Sequence, residues 1–233
     1  MLAAPTARPV GLAHAGGRRS PVVVVRASAA TGTAAPTAAI DTLKRGVASP
    51  GSVPAPAMLS AMLAVEGAKL SPEPWLDTIE APRARWRLVF TSDSKQVQAA
   101  QKKQPNKGGI FFPITAAQRF DASKKDFENG VFLGALASLT FNGPYAMKGR
   151  QLSFDVRSMN LGLGPWRFSI PLKKDTRPLE DVPDSERKAL PFFLYAYADS
   201  DIIVARGRSG GLAVWTRTTP EWEMMSGVAQ VYK

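Results

Sequence analysis

Arg85-Trp86-Arg87-Leu88-Val89-Phe90-Thr91 alternates strictly: Trp86, Leu88 and Phe90 fall on one face, Arg85, Arg87 and Thr91 on the other. A period of two is the mark of a half-buried β-strand. The same pattern returns in 151–157, where Leu152, Phe154 and Val156 share a face, and at Trp166, Phe168 and Ile170. Residues 192–198, 201–205 and 212–217 add three more apolar runs, and 110–114 and 117–120 add short strand candidates. The run 131–141 fits helix or strand by periodicity, but Asn129-Gly130 and Asn142-Gly143-Pro144 read as flanking turns and favour strand. Eight or nine short strands result, with no helix alternating between them, so a parallel sheet is not expected. The expectation is a mainly β protein, an antiparallel barrel or sandwich.

Upstream of the strands the period lengthens. Ile40, Leu43 and Val47 recur at helical spacing, and Met58, Leu59, Met62 and Leu63 mark a second helix, ended by Gly67, Pro72 and Pro74. Low complexity in 29–36 reads as linker, 94–109 as a solvated loop rich in Lys and Gln, and 177–188 as a charged loop.

The chain has 233 residues, 30 Lys+Arg, 19 Asp+Glu, one His and no Cys. Disulfides, thiolate nucleophiles and thiolate metal sites are thereby excluded. The first 40 residues hold Arg8, Arg18, Arg19 and Arg26, many small and hydroxyl residues, and no acid. That is the composition of an organellar transit peptide. Val22-Val23-Val24-Val25-Arg26-Ala27-Ser28 resembles the cleavage region of algal and plant chloroplast transit peptides. Removing the four arginines leaves 26 basic residues against 19 acidic ones, a charge of +7. The only histidine, His14, leaves with them. A chain with neither His nor Cys lacks the commonest general base and the strongest nucleophile, so a non-catalytic protein is expected. No apolar stretch reaches the length of a spanning helix; the longest, 131–139, is nine residues, so a soluble or peripheral protein is expected.

Two segments carry a resemblance. Trp86-Arg87-Leu88-Val89-Phe90-Thr91-Ser92 resembles the W-x-L-x-Y/F-T-[ST] strand of the plastid lipid-associated proteins, also called plastid fibrillins. Tyr197-Ala198-Asp199-Ser200-Asp201, continuing through Ile202, Ile203, Val204 and Ala205 to Arg206-Gly207-Arg208-Ser209-Gly210, resembles the Y-x-D-x-D-x-x-x-x-R-G-x-x-G segment near the end of that family's domain. The resemblance covers roughly residues 58–216. It implies a chloroplast protein with a lipocalin-like barrel and a short N-terminal helical segment. It also implies non-catalytic binding of a lipid, isoprenoid or prenylquinone, or coating of plastoglobule or thylakoid surfaces. The organisation expected is transit peptide 1–27, linker with short helix 28–57, barrel 58–217 and tail 218–233.

A small barrel can hold one ligand inside. Trp86, Phe90, Phe154, Trp166, Phe168 and Phe193 are the candidate interior residues, lining a cavity or filling a core. In lipocalin-like folds an Arg from the last strands packs across the Trp of the first. Carried over, this pairs Arg206 with Trp86 in a contact worth about 0.5–2 kcal/mol. Asp199 and Asp201 are then turn residues, with Asp201 a partner for Arg206 and Gly207 following it. Two carboxylates are too few for a hard cation, and no metal or cofactor is expected. Gly162-Leu163-Gly164 lacks a third glycine and a following helix, so it is a turn rather than a nucleotide loop. Arg83, Arg85 and Arg87 read as a solvated outer face; no nucleic-acid motif accompanies them. Alternatives stay open: a filled barrel docking to a thylakoid complex or an isoprenoid enzyme, or a carboxylate- or tyrosine-based enzyme.

Overall fold

The computed structural model describes residues 31–73 and 75–231. The expected transit peptide lies outside them. In chain order the elements are α1 (Thr31–Ala48), α2 (Ala55–Gly67), α3 (Trp75–Ile79), β1 (Arg85–Ser92), α4 (Ser94–Gln101), β2 (Ile110–Phe111), β3 (Thr115–Asp121), β4 (Asp126–Leu133) and β5 (Ala137–Lys148). There follow β6 (Gln151–Phe154), β7 (Ser158–Leu163), β8 (Trp166–Pro171), α5 (Asp184–Arg187), β9 (Phe192–Ala198), β10 (Ile202–Gly207), β11 (Leu212–Arg217), α6 (Pro220–Met225) and α7 (Val228–Val231). Among the described residues no helix is long and apolar enough to cross a membrane.

The chain is mainly β and closes on itself. The ring runs β1-β3-β4-β5-β6-β9-β10-β11 and back to β1, every neighbour antiparallel. This is a closed eight-stranded barrel, consistent with a lipocalin-like architecture. Strand β5 makes the closure possible. One edge pairs with β4. The other pairs first with β7, from Ala137 to Asn142, and then with β6, from Tyr145 to Lys148. The hairpin β7–β8 therefore stands outside the ring as a flap.

That junction explains two misleading signals. Asn129-Gly130 and Asn142-Gly143-Pro144 are not turns; they lie inside β4 and β5. The turn between those strands falls at Gly134-Ala135-Leu136, splitting the run 131–141 in two. Gly130 and Gly143 mark close approach instead. A Cβ on Gly143 would sit 1.8 Å from the Asp155 carbonyl oxygen, and one on Gly130 would sit 2.4 Å from the Thr140 side chain. Pro144 occupies the switch between partners, where its carbonyl accepts the Asp155 N–H at 3.0 Å.

Helices α1 and α2 cover the outside of the barrel. Leu43, Met58, Leu59 and Met62 pack on the outer faces of β10 and β11, through Ile202, Val204, Leu212 and Val214. Strands β10 and β11 are thus buried on both sides. This is why Ile202-Ile203-Val204-Ala205 reads as an unbroken apolar run rather than an alternation.

Four segments are more ordered than expected; one is 177–188, read as a charged loop, which carries α5. Residues 31–36, read as linker, already belong to α1, where alanine's high helix propensity outweighs the linker-like composition. Residues 94–101, read as loop, form α4 behind a capping box of Asp93 and Gln96. The tail beyond 217 folds back as α6 and α7, burying Val228 against Ala117 and Phe132.

Gly143→Ala places a methyl against main chain that cannot yield. It should lower stability by about 1–3 kcal/mol, measured by chemical denaturation, whereas Gly149→Ala in the β5–β6 turn meets no atom within 4 Å and should lose only the smaller cost of its φ of 59°.

Candidate functional site

The barrel interior is divided. Its lower part is a continuous aromatic plug. Phe120 meets Tyr145 at 5.3 Å and Phe127 at 5.4 Å between ring centroids; Phe127 meets Phe154 at 4.6 Å; Phe154 meets Phe193 at 5.3 Å; Phe193 meets Trp215 at 5.5 Å. Helix α3 adds Trp75 and Ile79 to the same core. Trp86 is fully buried, and its indole N–H donates to the Ile79 carbonyl at 3.2 Å. Above the plug the barrel opens into a cavity of about 650 Å³. Phe193 and Trp215 reach it from the plug, Leu88, Ala116 and Ala213 line it, and Gly207 and Gly211 lie at its mouth.

The wall is mixed: Thr91, Ser92, Asp93, Ser94, Gln96, Asn129 and Ser209 line it beside the apolar residues. Asn129 lines the cavity and stands directly across the ladder from Gln118. Gln118 is buried, and both atoms of its amide lack a hydrogen-bond partner. The buried Tyr195 hydroxyl also lacks one, and burial pushes its ionisation well above the usual tyrosine range. An unpaired buried amide costs roughly 1–3 kcal/mol.

The expected interior residues divide three ways. Trp86, Phe154 and Phe193 face the interior. Phe90 does not. The β1–β11 register shifts between Leu88 and Phe90, a β-bulge. A bulge inserts one residue and reverses the faces beyond it. Phe90 therefore joins the helix-side core, with its ring 5.1 Å from Phe111. Trp166 and Phe168 lie on β8, outside the ring, and are exposed. Periodicity placed them on the correct face of the sheet, but that face is not enclosed there.

The Arg–Trp contact at the barrel end exists with a different arginine. Arg217, at the end of β11, lies directly across from Trp86, its guanidinium 5.9 Å from the ring centroid. Arg206 points outward from β10 and grips Glu66 of α2 with two bonds of 2.7 and 2.6 Å, and the Gly210 carbonyl with a third of 2.6 Å. It clamps a helix to the barrel rather than closing the barrel's end. Asp201 is not its partner. Lys44 of α1 bridges Asp199 at 2.7 Å and Asp201 at 2.6 Å. Asp199 does hold the β9–β10 turn, accepting the N–H groups of Asp201 and Ile202, each at 2.9 Å. The arginine face of β1 is likewise covered: Arg85 pairs with Glu223, and Arg87 lies 5.2 Å from the Trp222 ring centroid. Among the described residues no group of three or more His, Cys, Asp or Glu could hold a metal ion.

Leu88 shares the face of Trp86 and escapes a search for aromatics; Trp215, on β11, is an aromatic outside the expected interior set; Asn129 lies in a stretch that reads as a turn.

A second cleft, of about 940 Å³, lies at the opposite end beside Glu80, Arg85, Phe120 and Arg217. Its acids are engaged within the protein. Glu80 accepts from Lys125 and from the Tyr145 hydroxyl, and Glu223 pairs with Arg85. Burial and Glu80 together push the Tyr145 hydroxyl far up, so it stays protonated.

No family model and no curated protein matches this chain. The chain is similar to a solved NMR structure of a protein from Burkholderia xenovorans, with 15% identity over 64% of this chain and 93% of that one and a TM-score of 0.32.

Burial pushes the Asp199 carboxyl up, but the bonds from Lys44 and from the turn N–H groups outweigh it and hold it below the usual range. Tyr197, half-buried and bonded to Asp199, is pushed up to about 12. Since the folded state lowers the Asp199 value, its contribution is present above pH about 4 and is lost as pH falls through the folded value. Asp199→Asn should cost about 1 kcal/mol at pH 7, after allowance for solvent screening. The cost should shrink as the pH falls through the folded value of Asp199, as read from thermal melts across the acid range.

Gln118→Leu removes the unpaired amide and should leave stability unchanged or raise it by about 1 kcal/mol in denaturant titrations.

Proposed function

We propose that this protein is a plastid lipid-associated protein of the fibrillin type that holds one small apolar molecule, a lipid, isoprenoid or prenylquinone, in the barrel mouth without transforming it. The observation that supports this best is the cavity of about 650 Å³ above the aromatic plug. Its size falls in the range of small-molecule sites, and Leu88, Phe193, Ala213 and Trp215 give it an apolar face beside the polar one. A ligand that buries about 400 Å² of apolar surface gains about 10 kcal/mol before the costs of association. Asn129 supplies an amide donor and acceptor for a carbonyl or hydroxyl head. A quinone fits this arrangement, with a ring oxygen at that amide and its ring against Phe193 and Trp215. The Arg-rich, acid-free N-terminal composition and the two fibrillin-like segments support chloroplast residence. No general base or nucleophile is required, since binding and release are the whole task. The plug favours a second reading for the lower barrel only: it is filled and serves as a rigid base.

Trp215 borders the cavity, so a short-chain prenylquinone should quench its fluorescence saturably at one molecule per chain. Ala213→Phe should raise the apparent Kd at least tenfold by filling the site. Trp215→Phe should remove most of the quenching. Absence of saturable quenching, together with no apolar molecule in solvent extracts of protein purified from plastids, overturns the reading in favour of a protein-docking module.

A further inference from the structure

The cleft of about 940 Å³ at the opposite end of the barrel is cut off from the cavity by the aromatic plug. Its lining carries four arginines and three carboxylates. All three carboxylates are already held. Glu80 takes Lys125 at 3.0 Å, and Glu223 takes Arg85. Asp121 accepts the Ser123 hydroxyl at 2.6 Å and the N–H groups of Ser123 and Lys124 at 3.0 and 3.2 Å, with the Lys124 ammonium 4.0 Å away. Arg119 is held in turn by Glu128 at 2.7 Å. Asp126, across the ladder from Asp121, and Glu221, in the first turn of α6, lie outside the lining.

Arg83 and Arg217 remain. Among the described residues neither forms an ion pair, and neither guanidinium donates to a protein oxygen. Arg217 comes from β11, its guanidinium 5.9 Å from the Trp86 ring centroid. An aromatic ring attracts that cation without using up its N–H donors.

The backbone at Arg83 is unusual. Ala81-Pro82-Arg83-Ala84 is a tight turn, closed by the Ala84 N–H on the Ala81 carbonyl at 2.8 Å. Pro82 holds the second place and Arg83 the third, with a φ of 60°. Glycine suits that third place in a type II turn, because a Cβ is strained there. The turn gains nothing from an exposed arginine; what the arrangement does is put a guanidinium on the cleft.

A carboxylate brings one charge and two oxygens, which a single guanidinium fork satisfies. A phosphate ester brings close to two charges and three acceptor oxygens, enough for two forks. Pro82, Ala84, Phe120 and Pro220 supply apolar lining beside them.

We infer that this cleft binds a soluble organic phosphate, its phosphoryl group held by Arg83 and Arg217 and its apolar part against Phe120 and the two prolines. The inference stands apart from the cavity reading proposed above.

The test is calorimetric titration of the full chain at low ionic strength with phenyl phosphate, inorganic phosphate and benzoate. Phenyl phosphate should bind saturably, at least threefold tighter than inorganic phosphate and tenfold tighter than benzoate. Arg83→Gly supplies the residue the turn favours, so it should melt no lower than the parent and yet raise the Kd for phenyl phosphate at least fivefold. Arg217→Lys keeps a cation beside Trp86 but loses the fork, and should raise that Kd by a similar factor. All three chains share the same N-terminal arginines, so the differences report the cleft. Quenching of Trp215 by short-chain prenylquinone should be unchanged at saturating phenyl phosphate. Equal affinity in the parent and both variants, or equal affinity for benzoate, overturns the inference. A lower melting temperature for Arg83→Gly makes the arginine a part of the turn and overturns it too. So does competition between phenyl phosphate and the quinone, or binding to phosphatidate vesicles with none to phenyl phosphate in solution.

Discussion

The divided edge of β5 is the constraint from which the rest of the molecule follows. A strand that kept one partner along its whole length would leave an open sheet. Here β7 holds the first half of that edge and β6 the second, with the change of partner at Gly143 and Pro144. The second half closes the barrel; the first half carries the flap away from it. The exchange requires two main chains to approach more closely than any side chain permits. One glycine therefore separates an enclosed interior from an exposed extension of the same apolar face.

Packing reinforces the division. Strands β10 and β11 are covered on both faces, by the aromatic plug inside and by α1 and α2 outside. Arg206 with Glu66, and Lys44 with the Asp199 turn, fix those helices to the strands from opposite ends of β10. This rigid side contrasts with the mouth, where Leu88, Ala213 and two glycines leave room.

Much of the fold was legible because strand periodicity is a local property. The alternations at Trp86, Leu152 and Trp166 each gave a true strand and the correct face up to the first irregularity. What alternation cannot carry is a change of count or of enclosure. Phe90 was misplaced by a single inserted residue in β1. Trp166 and Phe168 were misplaced because exposure depends on which strand closes the ring, a long-range fact. Arg206 was chosen from a motif that fixes a residue's place along a strand, whereas Arg217 earns the contact by ladder register to Trp86. Gly and Pro misled in the opposite direction, since close approach and turning use the same residues. The α4 cap at Asp93 and Gln96 is present in the sequence, beneath a loop-like composition.

The seam between β1 and β11 has a consequence in time. The Thr218 hydroxyl and the Arg85 carbonyl that it joins are 133 residues apart in the chain. Such a pairing forms only after a large loop-closure entropy has been met, which slows folding. Until β11 exists, β1 has an unpaired edge and the aromatic plug has no far wall. A ribosome delivering the chain from its N-terminus would therefore release nearly the whole domain before the barrel could shut. During that interval the Trp86 face is open to any chaperone that reads exposed apolar strands, and assembly is governed by the last strand to arrive.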